Sequence, residues 1–215
     1  NIWTADLGSH ISYLNRSNDR WENISILIGD TLIKSNKNIP RNFTKGVSIY
    51  VDDSKNALWI GTTGTGILNY DIASKKFTQY LVHPENGIKF GNQEIVNKLL
   101  PLNDSKLLVS TDKGIQYFDT QNHTFTKIFN NNDSLFVTQP NDIKRNGDNI
   151  YVATNYGVYI YNISTKQITT FKNAQNNSNT IASNLVKDIH FSKSSNYLWL
   201  NVINKGIDMN SNEQK

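Results

Sequence analysis

The sequence predicts an all-β chain of four-stranded antiparallel sheets, because one strand pattern recurs along it and the central strand of that pattern has no polar face. The clearest example is residues 58–60 (Leu-Trp-Ile), a continuous apolar run of the kind found in strands covered on both faces. A glycine-rich turn at residues 61–66 follows, and a further strand ends at Tyr70-Asp71. No stretch keeps helical periodicity for three turns.

The pattern occurs five times, with its apolar strands at residues 2–3, 58–60, 107–109, 150–152 and 198–200. In four of the copies an Asp or Asn is followed six positions later by a large apolar residue: Asn15 and Trp21, Asp71 and Phe77, Asp119 and Phe125, Asn162 and Ile168. A strand-rich repeat of about 50 residues is typical of propeller blades or a β-solenoid.

In chain order, the pattern predicts a partial blade over 1–28, complete blades over 46–81, 94–129 and 140–172, and a partial blade over 185–210. The polar segment 29–45, which contains Pro40, is the longest connection. Residues 47–51 alternate as a strand, and residues 52–56 form a turn into the apolar strand. The predicted strands are 1–5, 11–15 and 21–28; 47–51, 58–61, 67–70 and 77–81; 95–100, 107–110, 115–118 and 125–129; 142–145, 151–153, 158–161 and 168–171; 186–191, 198–202 and 207–209.

The fourth strand of each repeat mixes Thr, Lys and Gln with apolar residues, as outer edge strands do to avoid pairing with other molecules. Four antiparallel strands per repeat, with apolar middle strands, indicate β-propeller blades. Closed propellers contain typically 4–8 blades, so we expect a partial or open propeller that does not close a ring by itself. Further blades or a second chain would then cover its end faces.

Composition excludes several classes of function. The 22 basic and 18 acidic residues leave a net charge of +4, and they are scattered, which argues against a nucleic-acid surface. Cysteine is absent, so the chain has neither disulfides nor a thiolate metal site. No apolar run approaches the ~18 residues that a membrane span requires.

The residue types needed for catalysis do not cluster. His10, His83, His123 and His190 are far apart in sequence and lack the spacing of a zinc pair. The adjacent pair at residues 52–53 (Asp-Asp) lies in a turn, where Asp is favoured for its own hydrogen bonds. We therefore predict that this segment is not an enzyme and holds no metal or cofactor.

Trp59 and Trp199 are predicted to be core residues from their place in the repeat, whereas Trp21 on an outer strand could be either buried or exposed. Ligand contacts are expected from loops at one end of the blades and from polar inner-strand residues that could line a central channel. The loop candidates are Asn86, Lys89, Phe90, Asn131, Asp133, Phe136, Gln175, Asn176 and Asn179, and the inner-strand candidates are Lys98, Lys144 and His190.

Residues 58–62 (Leu-Trp-Ile-Gly-Thr), followed by Gly66-Ile67 and Tyr70-Asp71, resemble the repeat of two-component regulator propellers. The polar linkers around residues 83–86 and 176–184 resemble those of the same family. The resemblance implies the periplasmic sensor region of a hybrid histidine kinase from a glycan-degrading bacterium. It further implies an oligosaccharide ligand, a membrane-anchored and homodimeric parent receptor, and regulation of transcription.

The sequence is also compatible with two alternative functions. Propellers of the streptogramin-lyase type have similar repeats, but they need a His base beside a metal on one face, which four separated histidines do not favour. A non-catalytic propeller could instead bind a protein partner through its edge strands.

Overall fold

A computed structural model of the chain describes residues 2–5, 10–26, 46–82, 94–111, 114–128, 140–177, 179–192 and 197–211. In these ranges the chain forms β-strands joined by turns, with one 3-10 helix at Asp53–Lys55 and no α-helix, so the predicted all-β class is confirmed. The chain divides into two compact units, residues 1–112 with 116–128 and residues 113–115 with 129–215. Every strand predicted from the sequence overlaps an observed strand.

The first unit contains a three-stranded antiparallel sheet and two blades. The three-stranded sheet, called the first sheet, lacks a strand on the inner side of β1 among the described residues. Its strands are β1 (Ile2–Ala5), β2 (His10–Asn15) and β3 (Arg20–Ser25); the second blade has β4 (Gly46–Asp52), β5 (Ala57–Gly64), β6 (Ile67–Asp71) and β7 (Lys76–Tyr80); the third blade has β8 (Glu94–Asn103), β9 (Lys106–Thr111), β10 (Gly114–Asp119) and β11 (Thr124–Lys127).

The second and third blades share one eight-stranded sheet instead of forming two separate meanders. The pairing of β4 with β5 stops at Gly46 and Thr62, so the last residues of β5 extend past their partner. Thr63 then pairs with Ile95 of β8, which joins the two blades through backbone hydrogen bonds. The repeat pattern does not predict this junction, because it involves only two residue pairs between distant strands.

The second unit contains a fourth blade and a three-stranded last sheet, both antiparallel. The fourth blade has β12 (Asp142–Asn146), β13 (Asn149–Thr154), β14 (Gly157–Asn162) and β15 (Ile168–Phe171); the last sheet has β16 (Val186–Phe191), β17 (Tyr197–Val202) and β18 (Gly206–Ser211).

The apolar strands of the repeat place a core between neighbouring sheets. All residues of β5 from Ala57 to Thr62 are buried, because one face of the strand packs on the first sheet and the other on the third blade. In the second unit, the fourth blade and the last sheet share a core that includes Tyr151, Val158, Ile189 and Leu200. Burial on both faces explains why β5 has no polar face.

The repeated Asp or Asn closes the turn after the third strand. Asp71 Oδ1 accepts the backbone N–H of Ser74 at 2.6 Å, and Asn162 Oδ1 accepts that of Thr165 at 2.9 Å. The hydrogen bond from Ser74 lowers the pKa of Asp71. The turn brings the fourth strand back in register, so that Phe77 lies opposite Tyr70.

Polar side chains of two inner strands accept hydrogen bonds from the inner strand of the next sheet. Ser48 Oγ on β4 accepts the backbone N–H of Leu99 on β8 at 3.0 Å. Asp142 Oδ2 on β12 accepts the N–H of Ile189 on β16 at 3.2 Å. Ser48 and Asp142 occupy the same position of the repeat, since they lie opposite Gly61 and Ala153 at the same point of the second strand.

The prediction that Trp199 is a core residue is wrong. Trp59 is 4% exposed, as predicted, but Trp199 is 36% exposed. β17 alternates between buried and exposed residues, because only one of its faces packs on the fourth blade. Trp21, for which the sequence predicted neither burial nor exposure, is 54% exposed.

Candidate ligand-binding clefts

A cleft of about 960 Å³ lies in the first unit between the first sheet and the outer strands of the second blade. Its volume lies within the ~300–1,000 Å³ usual for sites that bind small molecules. Aromatic and charged side chains line it together: Trp3, Tyr13, Asn15, Glu22, Asn23, Ile24, Ser25, Tyr70, Ile72, Lys75, Lys76 and Phe77.

The aromatic part of this cleft is fixed by cross-strand pairing. Trp3 on β1 lies opposite Tyr13 on β2, with ring centroids 4.8 Å apart. Tyr70 on β6 lies opposite Phe77 on β7, with centroids 4.7 Å apart, and Trp3 meets Tyr70 edge-on at 6.4 Å. Tyr70 is buried while the other three rings are half-buried, so they offer apolar surface to the cleft.

The polar part of the cleft centres on Glu22. Glu22 lies opposite Tyr13 on the neighbouring strand, and its carboxylate accepts hydrogen bonds from the Tyr13 hydroxyl and, at 2.7 Å, from Asn15 Nδ2. The hydrogen bond from Tyr13, followed by that from Asn15, lowers the pKa of Glu22, and Lys75 acts in the same direction. The same bond raises the pKa of Tyr13. Glu22 is therefore a carboxylate at neutral pH, held in place by two donors.

This combination of groups can bind a polyhydroxylated molecule. Half-buried rings supply flat apolar surface, while a carboxylate, two amides and two ammonium groups supply acceptors and donors within one cleft. Because both signs of charge are present, the cleft suits a neutral ligand with many hydroxyl groups better than a small ion.

A second cleft, of about 660 Å³, lies within the second unit. There Asp208 Oδ2 accepts the N–H of Ala182 at 2.6 Å, which ties the connection before β16 to β18. Thr180 Oγ1 accepts the N–H of Ala174 at 3.0 Å and closes the same connection. The lining residues are Thr170, Phe171, Lys172, Asn179, Thr180, Ile181, Tyr197, Leu200, Asp208 and Met209.

Of the predicted site residues in the described part of the chain, Lys98 lies in the first unit, and Lys144, Gln175, Asn176, Asn179 and His190 lie in the second. Asn179 lines the second cleft, whereas Gln175 and Asn176 are exposed in the preceding turn. Lys144 is half-buried and forms an ion pair with Asp142 at 3.4 Å, and His190 is exposed on the last sheet. Lys98 is half-buried on β8. The remaining candidates lie outside the described residues: Asn86, Lys89, Phe90, Asn131, Asp133 and Phe136.

The residues of the first cleft were not among the predicted site residues. Tyr13 and Glu22 are nine positions apart, and nothing in their spacing indicates that they are cross-strand neighbours until the turn between β2 and β3 is known. The signal was nevertheless present, because an acid directly opposite a tyrosine in a predicted hairpin indicates a polar pair on one face.

The described ranges contain neither a cluster of metal-ligating side chains nor a membrane-spanning helix. No three His, Asp or Glu side chains converge there in a way that could hold a metal ion. His123 is exposed and contacts Tyr80, with ring centroids 4.7 Å apart. No helix of sufficient length and apolar character to cross a membrane occurs in the same ranges.

Comparison with known proteins finds solved structures with a similar fold. No family model matches the chain, and no curated protein matches its sequence. The extracellular domain of a proposed hybrid two component system from B. thetaiotaomicron superposes over 96% of this chain and 24% of its own, with a TM-score of 0.70 and 15% identity. That of a proposed one component system from the same bacterium covers 96% of this chain and 25% of its own, with a TM-score of 0.70 and 17% identity. The computationally designed Ika4 protein covers 78% of this chain and 91% of its own, at a TM-score of 0.52 and 11% identity.

These likenesses show the fold. The chain shares its fold with these two bacterial extracellular domains over nearly all of its length, and it spans about a quarter of the length of each. The predicted class of partial propeller is confirmed.

Proposed function

We propose that this chain is part of an extracytoplasmic ligand-sensing domain of a two-component signalling receptor. The observation that supports the proposal is the shared fold over nearly the whole chain with two extracellular receptor domains, together with the repeat residues around Trp59. In this proposal the parent receptor is anchored in the inner membrane, dimerises, and passes the signal from the periplasm to a histidine kinase and a transcription regulator.

The proposed ligand is an oligosaccharide that binds in the first cleft. The half-buried faces of Trp3, Tyr13 and Phe77 match the apolar faces of sugar rings, and Glu22 can accept hydrogen bonds from hydroxyl groups. Because Tyr13 and Asn15 hold the Glu22 carboxylate before any ligand arrives, little side-chain entropy is lost on binding.

The proposed role is binding without turnover. In the described ranges no three acidic or histidine side chains converge to hold a metal ion, and the lining of the first cleft has one carboxylate, that of Glu22. Glycoside hydrolysis generally needs two carboxyl groups on opposite sides of the scissile bond. The Asp208 carboxylate of the second cleft accepts the backbone N–H of Ala182, which gives it a structural role.

The experiment that tests this function is a glycan array probed with the 215-residue chain, followed by calorimetric titration of any glycan that binds. We expect binding to a neutral oligosaccharide and a loss of at least tenfold in affinity in Glu22→Ala. Trp21→Ala is the matched control, because Trp21 is exposed on the opposite face of the same sheet and should bind as the unchanged chain does.

Three results would contradict the proposal. If no glycan binds, or if binding is unchanged in Glu22→Ala and lost in Trp21→Ala, the first cleft is not the site. Release of reducing ends from a bound glycan would show instead that the chain is an enzyme.

A further inference from the structure

The last sheet, β16–β18, has one face that no described residue covers. This surface, called the uncovered face, carries the apolar side chains of Trp199, Ile207 and Met209, which are 36%, 71% and 53% exposed. They are neighbours, because Trp199 lies directly opposite Met209 and Ile207 lies at the next position of the same face of β18. The same face carries three polar residues. His190 lies opposite Trp199, Asn201 lies opposite Ile207, and Asp188 lies opposite Asn201.

Two of these three positions are buried in the second blade, and the third, which corresponds to Met209, is the half-buried Asn69. Trp59, which corresponds to Trp199, is 4% exposed, and Ile67, which corresponds to Ile207, is fully buried. The third blade covers them, because Trp59 and Ile67 belong to one core with Val96 and Leu99 of β8.

They are buried in the fourth blade as well. Tyr151 corresponds to Trp199, Val158 to Ile207 and Ile160 to Met209, and all three are buried in the core shared with the last sheet. In both units, therefore, this side of a blade is covered by the following sheet.

The inner strand of the last sheet carries the matching polar acceptor. Asp188 lies opposite Asn201 at the position of the repeat that Ser48 and Asp142 occupy. Those two side chains accept an N–H from the inner strand of the following sheet. In the described structure Asp188 is exposed, and its Oδ2 accepts a hydrogen bond from Asn201 Nδ2 at 3.2 Å.

We propose that the uncovered face is the docking surface for a complete blade of the same repeat. The inner strand of that blade donates a backbone N–H to Asp188, and its apolar face covers Trp199, Ile207 and Met209. The two covered interfaces within the chain are the model for this contact, since both combine the same acceptor position with buried apolar residues at the positions of Trp199 and Ile207.

The requirement for an inner strand distinguishes this occupant from a second copy of the chain. Among the described residues the first sheet also has an exposed side, where Ile2 and Trp21 are exposed. Trp3 of β1 corresponds to Trp59 on a second strand, and no described strand lies inside β1. A second copy docking through its first sheet would leave Asp188 without the N–H donor that the two observed interfaces provide.

The test is a tandem variant in which residues 162–211 are repeated directly after Asn210. This adds an outer strand to the last sheet and then a copy of β16–β18, whose own Ile189 N–H can reach the original Asp188. The appended copy of Trp199 is changed to Phe, so that the original Trp199 is the reporter. Each protein is compared with its own Trp199→Phe version to isolate the Trp199 signal.

We expect the acrylamide quenching constant of Trp199 to fall at least twofold in the tandem variant. Asp188→Ala should lower the melting temperature of the tandem variant by about 2–4 °C and leave the 215-residue chain almost unchanged. Asp188→Asn, which keeps a carbonyl acceptor, is the matched control and should melt close to the unchanged tandem variant.

Each opposite result overturns the proposal. These are an unchanged quenching constant, an equal effect of Asp188→Ala in both proteins, or proteolytic removal of the appended residues at protease concentrations that leave 1–215 intact. If the 215-residue chain itself forms a dimer that protects Trp199, the occupant is a second copy and the proposal fails.

Discussion

Glu22 lies directly across from Tyr13 on the neighbouring strand and accepts a hydrogen bond from its hydroxyl group. The pair forms the polar centre of the first cleft, and it links two titratable groups whose pKa values move in opposite directions. The folded chain therefore favours the Glu22 carboxylate and the protonated Tyr13 together.

This pair predicts a pH-dependent contribution to stability. The pKa of Glu22 is lowered below its ordinary value of 4.5, so its stabilising contribution is complete above that value and is lost as the pH falls through the lowered pKa. Tyr13→Phe removes the hydrogen bond that is the main cause of the lowered pKa of Glu22. We expect the difference in melting temperature between the unchanged chain and Tyr13→Phe to be largest near about pH 7 and to narrow toward about pH 3. Tyr156→Phe, at an exposed position, should show an offset independent of pH.

Trp59 predicts a contrast between two substitutions. Trp59→Ala should lower the free energy of unfolding by ~3–5 kcal/mol, because it deletes a buried ring packed against Tyr80 and Phe118. Trp59→Phe should cost less than about 1.5 kcal/mol, because no described residue accepts a hydrogen bond from Trp59 Nε1 and the apolar contacts are kept in part. Urea denaturation measures both. A loss of a few tenths for Trp59→Ala would mean that the ring is not in the core.

The first residue of the third strand predicts a second contrast. Gly157 and Gly206 both have positive φ, of 107° and 95°. A Cβ at Gly157 would lie 2.5 Å from the carbonyl oxygen of Phe171 on the outer strand, whereas at Gly206 no described atom lies within 4 Å. Gly157→Ala should therefore destabilise the chain by about 1–3 kcal/mol more than Gly206→Ala in urea denaturation. Equal losses of stability would show that the positive φ alone, and not the contact with Phe171, determines the cost of the added Cβ.

The hydrogen bonds between inner strands predict a fourth effect on stability. Ser48→Ala leaves the buried N–H of Leu99 without its acceptor and should cost about 1–3 kcal/mol, with faster hydrogen exchange at the Leu99 amide. Asp142→Ala should act in the same way on Ile189, while Asp142→Asn keeps an oxygen acceptor and should cost less. Unchanged exchange at Leu99 in Ser48→Ala would contradict this role.

The fold could be predicted from the sequence because the residues that define its repeat form their contacts with near neighbours in the chain. Asp71 and Asn162 each close a turn with their own side chain, so their recurrence marks the third and fourth strands wherever they occur. The continuous apolar run around Trp59 likewise reports a strand buried on both faces. Such signals need no knowledge of distant contacts.

Features that depend on which strands meet could not be predicted in this way. The first cleft needs the register that places Glu22 opposite Tyr13, and the exposure of Trp199 depends on what covers its sheet. Trp59 and Trp199 have the same local sequence signal and different surroundings. The residues predicted to bind ligand stay a prediction, and those of the loops at 86–90 and 131–136 lie outside the described residues.

The junction between Thr63 and Ile95 has a consequence for how the first unit loses its structure. In a repeat array whose neighbours touch only through side chains, each unit can open by a local fluctuation of its own. Here the second and third blades share one backbone ladder, so opening either blade breaks main-chain hydrogen bonds of the other. We therefore expect the two blades to open as a single cooperative unit, so that their most protected amides exchange with solvent at a common rate set by one opening event.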